Sequence, residues 1–155
     1  VVGMGAVKIV SKKIRNSARK RKTLAQEVEA AAVLLQRLVR LKASDDNGYA
    51  VCVTCDKCCH YKEMDGGHFI SRNHKSVKLL EKNIHPQCKG CNGFKMKDSL
   101  TVLRYRNWMV DMYGEKVVND LESLAYQTKK FTREELADLA VDFKEQIKYH
   151  EERIG

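Results

Sequence analysis

Apolar residues fall into helical rows at both ends of the chain and into short, irregular groups in the middle. From Thr23 onward Leu24, Val28, Ala31, Leu35 and Leu38 recur four and three apart. That spacing keeps them on one stripe of a helix reaching about Lys42. Thr23 and Gln26 are spaced as a capping box, and Ala32 with Val39 forms a second row beside the stripe. So narrow a seam suits a partner helix, either the chain's own C-terminal helix or a second copy. Asp45-Asp46-Asn47-Gly48 reads as the turn that ends it.

Further on, Leu100, Leu103, Trp108, Met109 and Met112 predict a helix closing at Gly114, and another helix covers Val117 to Leu124. The last helix is the best specified. Thr132 and Glu135 form a capping box, Phe131 is placed to staple onto Leu136, and Leu136, Leu139, Phe143, Ile147 and His150 continue one stripe. In the middle, Tyr49-Ala50-Val51 and Phe69-Ile70 read as short strands. Met64-Asp65-Gly66-Gly67 reads as the turn or bulge between hairpin arms, and a helix begins near Cys91. The fold class is therefore α+β: an arm at 1–22, an amphipathic helix at 23–44, a small core at 48–98 and a helical region at 99–155.

Composition changes this picture in two ways. The 155 residues are 43% apolar, enough for one modest core that needs help from a cross-link or metal. No apolar run approaches the length of a membrane span, and the opening residues lack the charged start and long apolar stretch of a secretory signal. A reducing, cytoplasmic setting is the expectation, in which cysteines at Cys-x2-Cys spacing are metal ligands rather than disulfides.

The net charge of +9 is uneven. Lys8, Lys12, Lys13, Arg15, Arg19, Lys20, Arg21 and Lys22 place +8 on the first 26 residues with no acid, and residues 66–106 carry +7. The remaining segments are net acidic. Such a footprint fits phosphate-backbone binding. Arg19, Lys20, Arg21 and Lys22 on the arm, and Arg72, His74 and Lys95 in the core, are the candidate DNA contacts. A solvated basic tail is the plain alternative for the arm.

Two Cys-x2-Cys pairs, Cys52/Cys55 and Cys88/Cys91, bracket a Gly-Gly-His-Phe-Ile segment. Two such pairs can hold one tetrahedral zinc with no position left for water, which makes the ion structural. Spacing alone also allows Cys58 to pair with Cys55, while Cys59 is a spare thiol. The chemistry rests on His68, Asn83 and Asn92. His68 on a strand is placed as a general base for water, and Asn92, at a helix start after the last cysteine, can offer a carbonyl oxygen to a hard cation such as Mg²⁺. Asn83 can tie down the loop through backbone hydrogen bonds and so hold the base.

The residues that carry a family resemblance are Gly67-His68-Phe69-Ile70-Ser71-Arg72, His74, and Asn83-Ile84-His85-Pro86-Gln87-Cys88-Lys89-Gly90-Cys91-Asn92. With Cys52-Val53-Thr54-Cys55 before them and Met112-Tyr113-Gly114-Glu115 after, they resemble the bacteriophage lambda NinG (Rap) recombination endonuclease family. The wider pattern is similar to the HNH, or ββα-metal, nucleases, with His68, Asn83 and Asn92 at the signature positions. The paired cysteines followed by asparagine also resemble phage endonuclease VII.

The resemblance implies a zinc-stapled ββα-metal core and a Mg²⁺- or Mn²⁺-dependent endonuclease. Its substrates would be Holliday junctions, D-loops or other branched DNA in the host cytoplasm. It also favours Cys52 over Cys58 as the partner of Cys55. One departure stands out. Many HNH sites carry an acid or histidine just before the base, and here that residue is Gly67. Asp65 is the nearest replacement as metal ligand, with His74 or His85 as substitutes. A homodimer is expected, since a two-fold junction needs two sites and the Leu24–Leu38 seam offers a pairing surface. The competing readings are a zinc-stapled DNA-binding module without catalysis and an adaptor that recruits a recombination partner.

Overall fold

The computed structural model describes residues 20–155, so Arg19 and the preceding arm lie outside the described residues. Lys20, Arg21 and Lys22 are exposed just ahead of helix α1, Leu24–Ala43. The capping box at its start is complete: Gln26 N–H donates to Thr23 Oγ1 at 3.2 Å, and Thr23 N–H to Gln26 Oε1 at 2.9 Å. Asp45 then builds the expected turn, its Oδ1 accepting from the N–H groups of Asn47 and Tyr49, both at 2.9 Å. Gly48 supplies the positive φ of 83° that the turn requires.

The stripe on α1 is not free for a second chain. Val28, Ala31, Leu35 and Leu38 share one buried cluster with Leu136, Phe143 and Ile147 of helix α6, Arg133–Ile154. Pairing through that seam is thereby withdrawn, because α6 presents a stripe of the same pitch within the chain and covers it. Ion pairs from Arg37 to Glu151 and from Arg133 to Glu27 flank the contact. Arg153 donates to the Leu41 and Ser44 carbonyls at 3.1 and 2.8 Å, tying the end of α6 to the end of α1. The box at α6 is only half formed. Thr132 Oγ1 accepts from Glu135 N–H at 3.1 Å, but the Glu135 carboxylate turns to Lys129 instead.

Two antiparallel hairpins fill the centre. Strand β1, Tyr49–Val51, pairs with β2, Cys58–His60. Strand β3, Met64–His68, pairs with β4, Ile84–Cys88, and helix α3, Lys89–Gly93, follows at once. Two sequence-based expectations change here. Met64–Gly67 is a strand, not a turn, and Phe69-Ile70 lies just beyond it.

The two glycines serve close approach rather than bending. A Cβ on Gly66 would lie 2.7 Å from Cα of Gln36 in α1, and one on Gly67 would lie 1.8 Å from Gln87 Oε1. One face of the β3–β4 hairpin therefore rests on α1. Its other face rests on α4, Ser99–Tyr113, where Tyr105 is fully buried and donates to Gly67 O at 2.7 Å. Short helix α2, Lys75–Lys78, leads toward β4, and α5, Glu115–Ala125, packs with α4 around Met109, Val118 and Leu121. No helix among the described residues is long and apolar enough to cross a membrane.

Candidate metal centre and adjoining cleft

Cys52 follows β1 and Cys55 sits in the loop to β2, while Cys88 ends β4 and Cys91 lies in α3. The ligand atoms of these four all fall within 4.8 Å of one another. Cys55 Sγ and Cys88 Sγ are 3.7 Å apart. Four thiolates at about 2.3 Å from one zinc stand roughly 3.8 Å from each other, so the donor set fits that ion. Cys58 stays out of the cluster, exposed on β2 opposite Val51, and Cys59 packs inward beside Met64.

Burial would raise the Cys52 thiol, but hydrogen bonds from Thr54 and from the backbone of Cys88, Thr54 and Cys55 outweigh it and bring the group down to about 7. Stabilised thiolate is the form a zinc ion takes up. Burial, reinforced by the neighbouring sulfurs, pushes Cys55 up to about 12.

Sequence reasoning missed two residues that link this cluster to β3. Thr54 Oγ1 lies 3.2 Å from Cys52 Sγ and accepts from Gln87 Nε2 at 3.3 Å. That bond directs the other end of the fully buried Gln87 carboxamide, Oε1, against Gly67, where it has no hydrogen-bond partner. The missing acid before His68 thus has a steric cause: Gln87 occupies the space a side chain at position 67 would take. The signal in the sequence was a polar residue beside Cys88 in the Ile84–Cys88 strand. Arg40 of α1 also went unnoticed, although its Nη1 donates to Met64 O at 2.8 Å and to Tyr61 O at 3.2 Å, pinning the start of β3.

His68 closes β3 and is largely buried. Its Nε2 lies 3.1 Å from Lys78 O, and a carbonyl can only accept, so Nε2 carries the proton and Nδ1 keeps its lone pair. Burial holds the imidazole below its ordinary pKa, opposed by the Lys78 carbonyl and reinforced by the charges of Arg72 and Lys78. The ring is therefore neutral at neutral pH. Asn83 is fully buried and fastens the segment after His68: Ile70 N–H donates to its Oδ1 at 2.8 Å, and its Nδ2 donates to Ile70 O at 3.0 Å and Val77 O at 3.1 Å.

Asp65 and Asn92 meet directly, Asn92 Nδ2 donating to Asp65 Oδ2 at 3.0 Å. His68 and Asn92 line one cleft together with Gln36, Arg72 and Lys97. A carboxylate and a carboxamide suit a hard cation that keeps several of its waters. The carboxamide has to turn to present Oδ1 to such an ion.

The substitutes for Asp65 lie elsewhere. His74 Nδ1 bonds to Ala125 O at 3.1 Å, at the end of α5. His85 is enclosed by aromatic rings on the α4 side of the hairpin. Because the Tyr105 hydroxyl donates to Gly67 O, it accepts from His85 Nδ1 at 3.1 Å, and His85 Nε2 accepts from Tyr113 at 2.8 Å. Burial pushes His85 down to about 4. Neither histidine is a ligand candidate in this arrangement. Arg72 faces the cleft, whereas Lys95 is exposed beyond it.

Comparison with known proteins places the chain. The protein named Protein ninG of Escherichia phage lambda is 26% identical over 98 residues, covering 63% of this chain and 46% of that relative. The matched part is therefore under half of the relative's own length. No solved structure matches the chain. A family model described as Bacteriophage Lambda NinG protein matches residues 7–152, nearly the whole length, and the chain belongs to that family.

Proposed function

We propose that this chain is a divalent-metal-dependent DNA endonuclease with a zinc-stapled ββα-metal core, acting on branched DNA such as Holliday junctions and D-loops. The observation that carries the reading is the state of His68. Its Nε2 proton is held by Lys78 O, its Nδ1 is free, and it shares a cleft with Asn92 on a strand–strand–helix unit. A neutral imidazole fixed through one nitrogen can take a proton from water with the other. Asn83 holds the backbone after it, and Arg72 and Lys97 supply positive charge for a phosphate at the cleft. Asp65 and Asn92 are the residues that would hold Mg²⁺ or Mn²⁺, whose charge would stabilise the anionic phosphate in the transition state. Cys52, Cys55, Cys88 and Cys91 would hold zinc, which would keep the unit rigid and leave no position for water. The preference for branched DNA rests on the sequence resemblance.

A second reading, a zinc-stapled DNA-binding module without cleavage, is favoured by one observation: Gln87 fills the place before His68 where an acidic ligand would stand. Incubating a labelled four-way junction and a linear duplex with wild type and His68→Ala, with Mg²⁺ or chelator, separates the two. Junction nicking that needs Mg²⁺ and disappears in the variant, with binding retained, is the expected result. Tight junction binding without nicking under any divalent cation overturns it in favour of the binding module.

A further inference from the structure

The outer face of α3 and the turn after it carry features that the fold does not use. Glycine is the least favourable residue in a helix apart from proline, yet α3 contains Gly90 and Gly93. A Cβ on either would meet nothing within 4 Å, in contrast to the tight contacts at Gly66 and Gly67, and neither has a positive φ. Neither internal packing nor backbone conformation asks for glycine there. Bare backbone on an open surface suits the close approach of another molecule.

Beside these glycines Phe94 is 86% exposed. Lys89, Lys95 and Lys97, close to it in sequence, are also exposed, and no acid occurs from position 89 to 97. Gly93 and Lys97 also line the cleft of His68 and Asn92. Lysine is depleted at the centre of protein–protein interfaces, so an aromatic ring among lysines points to a polyanion with flat groups to stack.

We propose that this face docks an unpaired nucleotide of a DNA strand. The sugar–phosphate backbone lies along Gly90 and Gly93, the base stacks on Phe94, and Lys89, Lys95 and Lys97 meet the flanking phosphates. The inference rests on the endonuclease reading and deepens it. Bases inside an intact duplex have no free face to offer, so the site favours DNA whose pairing is interrupted, and it holds that strand next to His68.

Affinity is measured on the zinc-loaded protein without added Mg²⁺, using labelled oligothymidylate, a four-way junction and a blunt duplex. Junction nicking is measured in parallel with Mg²⁺. Phe94→Ala is expected to weaken oligothymidylate and junction binding by about tenfold while leaving the blunt duplex nearly unchanged, and Phe94→Trp to restore it. Gly93→Ala gives an independent sign: it should raise the melting temperature of the protein yet weaken oligothymidylate binding. Equal losses on all three DNAs, no loss on any, or better binding in Gly93→Ala would overturn the site. Nicking by wild type with unchanged binding by Phe94→Ala defeats this inference alone. Binding by wild type that depends on Phe94, without nicking, defeats the endonuclease reading and leaves the docking site standing.

Discussion

The α1–α6 pair and the cysteine module of residues 49–98 are held together by opposite means. In the helical pair, Leu35, Leu38, Phe143 and Ile147 remove large aliphatic and aromatic groups from water, and charged groups stay at the margin. In the module, the interior includes Asn83, Gln87 and His85, each tied to backbone, hydroxyl or sulfur, beside a cluster of thiols. Apolar burial is non-directional and tolerates small shifts. A polar interior relies on directed hydrogen bonds, and each lost partner is costly. The second kind of core brings four thiols close enough to share a metal ion and encloses a neutral His85, so the module is expected to respond to metal and pH where the helical pair does not.

The sharpest contrast comes from removing a thiolate. Cys88→Ser should lose zinc and unfold the module, since structural zinc is worth about 10–16 kcal/mol in small metal-stapled units, as much as a whole domain's stability. Zinc content and near-ultraviolet circular dichroism report the loss, and an unchanged melting curve would refute it. Next in size, Leu35→Ala should cost about 2–5 kcal/mol in the helical pair, where Leu35 is fully buried, and leave zinc bound. Zinc release by that variant would show that the two regions are one cooperative unit.

His85 gives the pH prediction. Its folded-state pKa of about 4 lies below the ordinary value of 6.5. The unfolded chain therefore binds a proton that the folded chain refuses between those values. Stability is complete above pH 6.5 and falls as the pH drops toward 4, by on the order of 3 kcal/mol. Urea unfolding across that window should show a shallower pH slope in His85→Gln than in wild type, and an identical slope would count against the enclosed neutral ring. The smallest effect concerns Gly67, where overpacking by Gly67→Ala should cost roughly 1–3 kcal/mol. Combining it with Gln87→Ala should cost less than the sum of the two, and strict additivity would break the proposed steric link.

Legibility followed the same division. The helices around α1, α4, α5 and α6 were readable because apolar spacing and caps such as Thr23/Gln26 are local. Strand β3 was hidden because Asp-Gly-Gly has little strand propensity, and it forms a strand only because Ile84–Cys88 pairs with it between α1 and α4. His68, Asn83 and Asn92 could be named from their order. The Lys78 carbonyl on His68, the contact between Asp65 and Asn92, and the roles of Gln87, Thr54 and Arg40 join residues from 10 to 33 positions apart, and no spacing rule anticipates them.

By itself, the sequence determined where the long helices run, that its cysteine pairs are spaced to share a metal and where the positive charge lies, because each depends on periodicity or composition over a few residues. Tertiary structure alone decided that the α1 seam is closed by α6 and not by a second copy, that Cys58 stands apart from the cluster, and that Gly67 yields its space to Gln87. Each of those outcomes is a contest for one volume between residues far apart in the chain, and only the packed fold sets the terms of that contest.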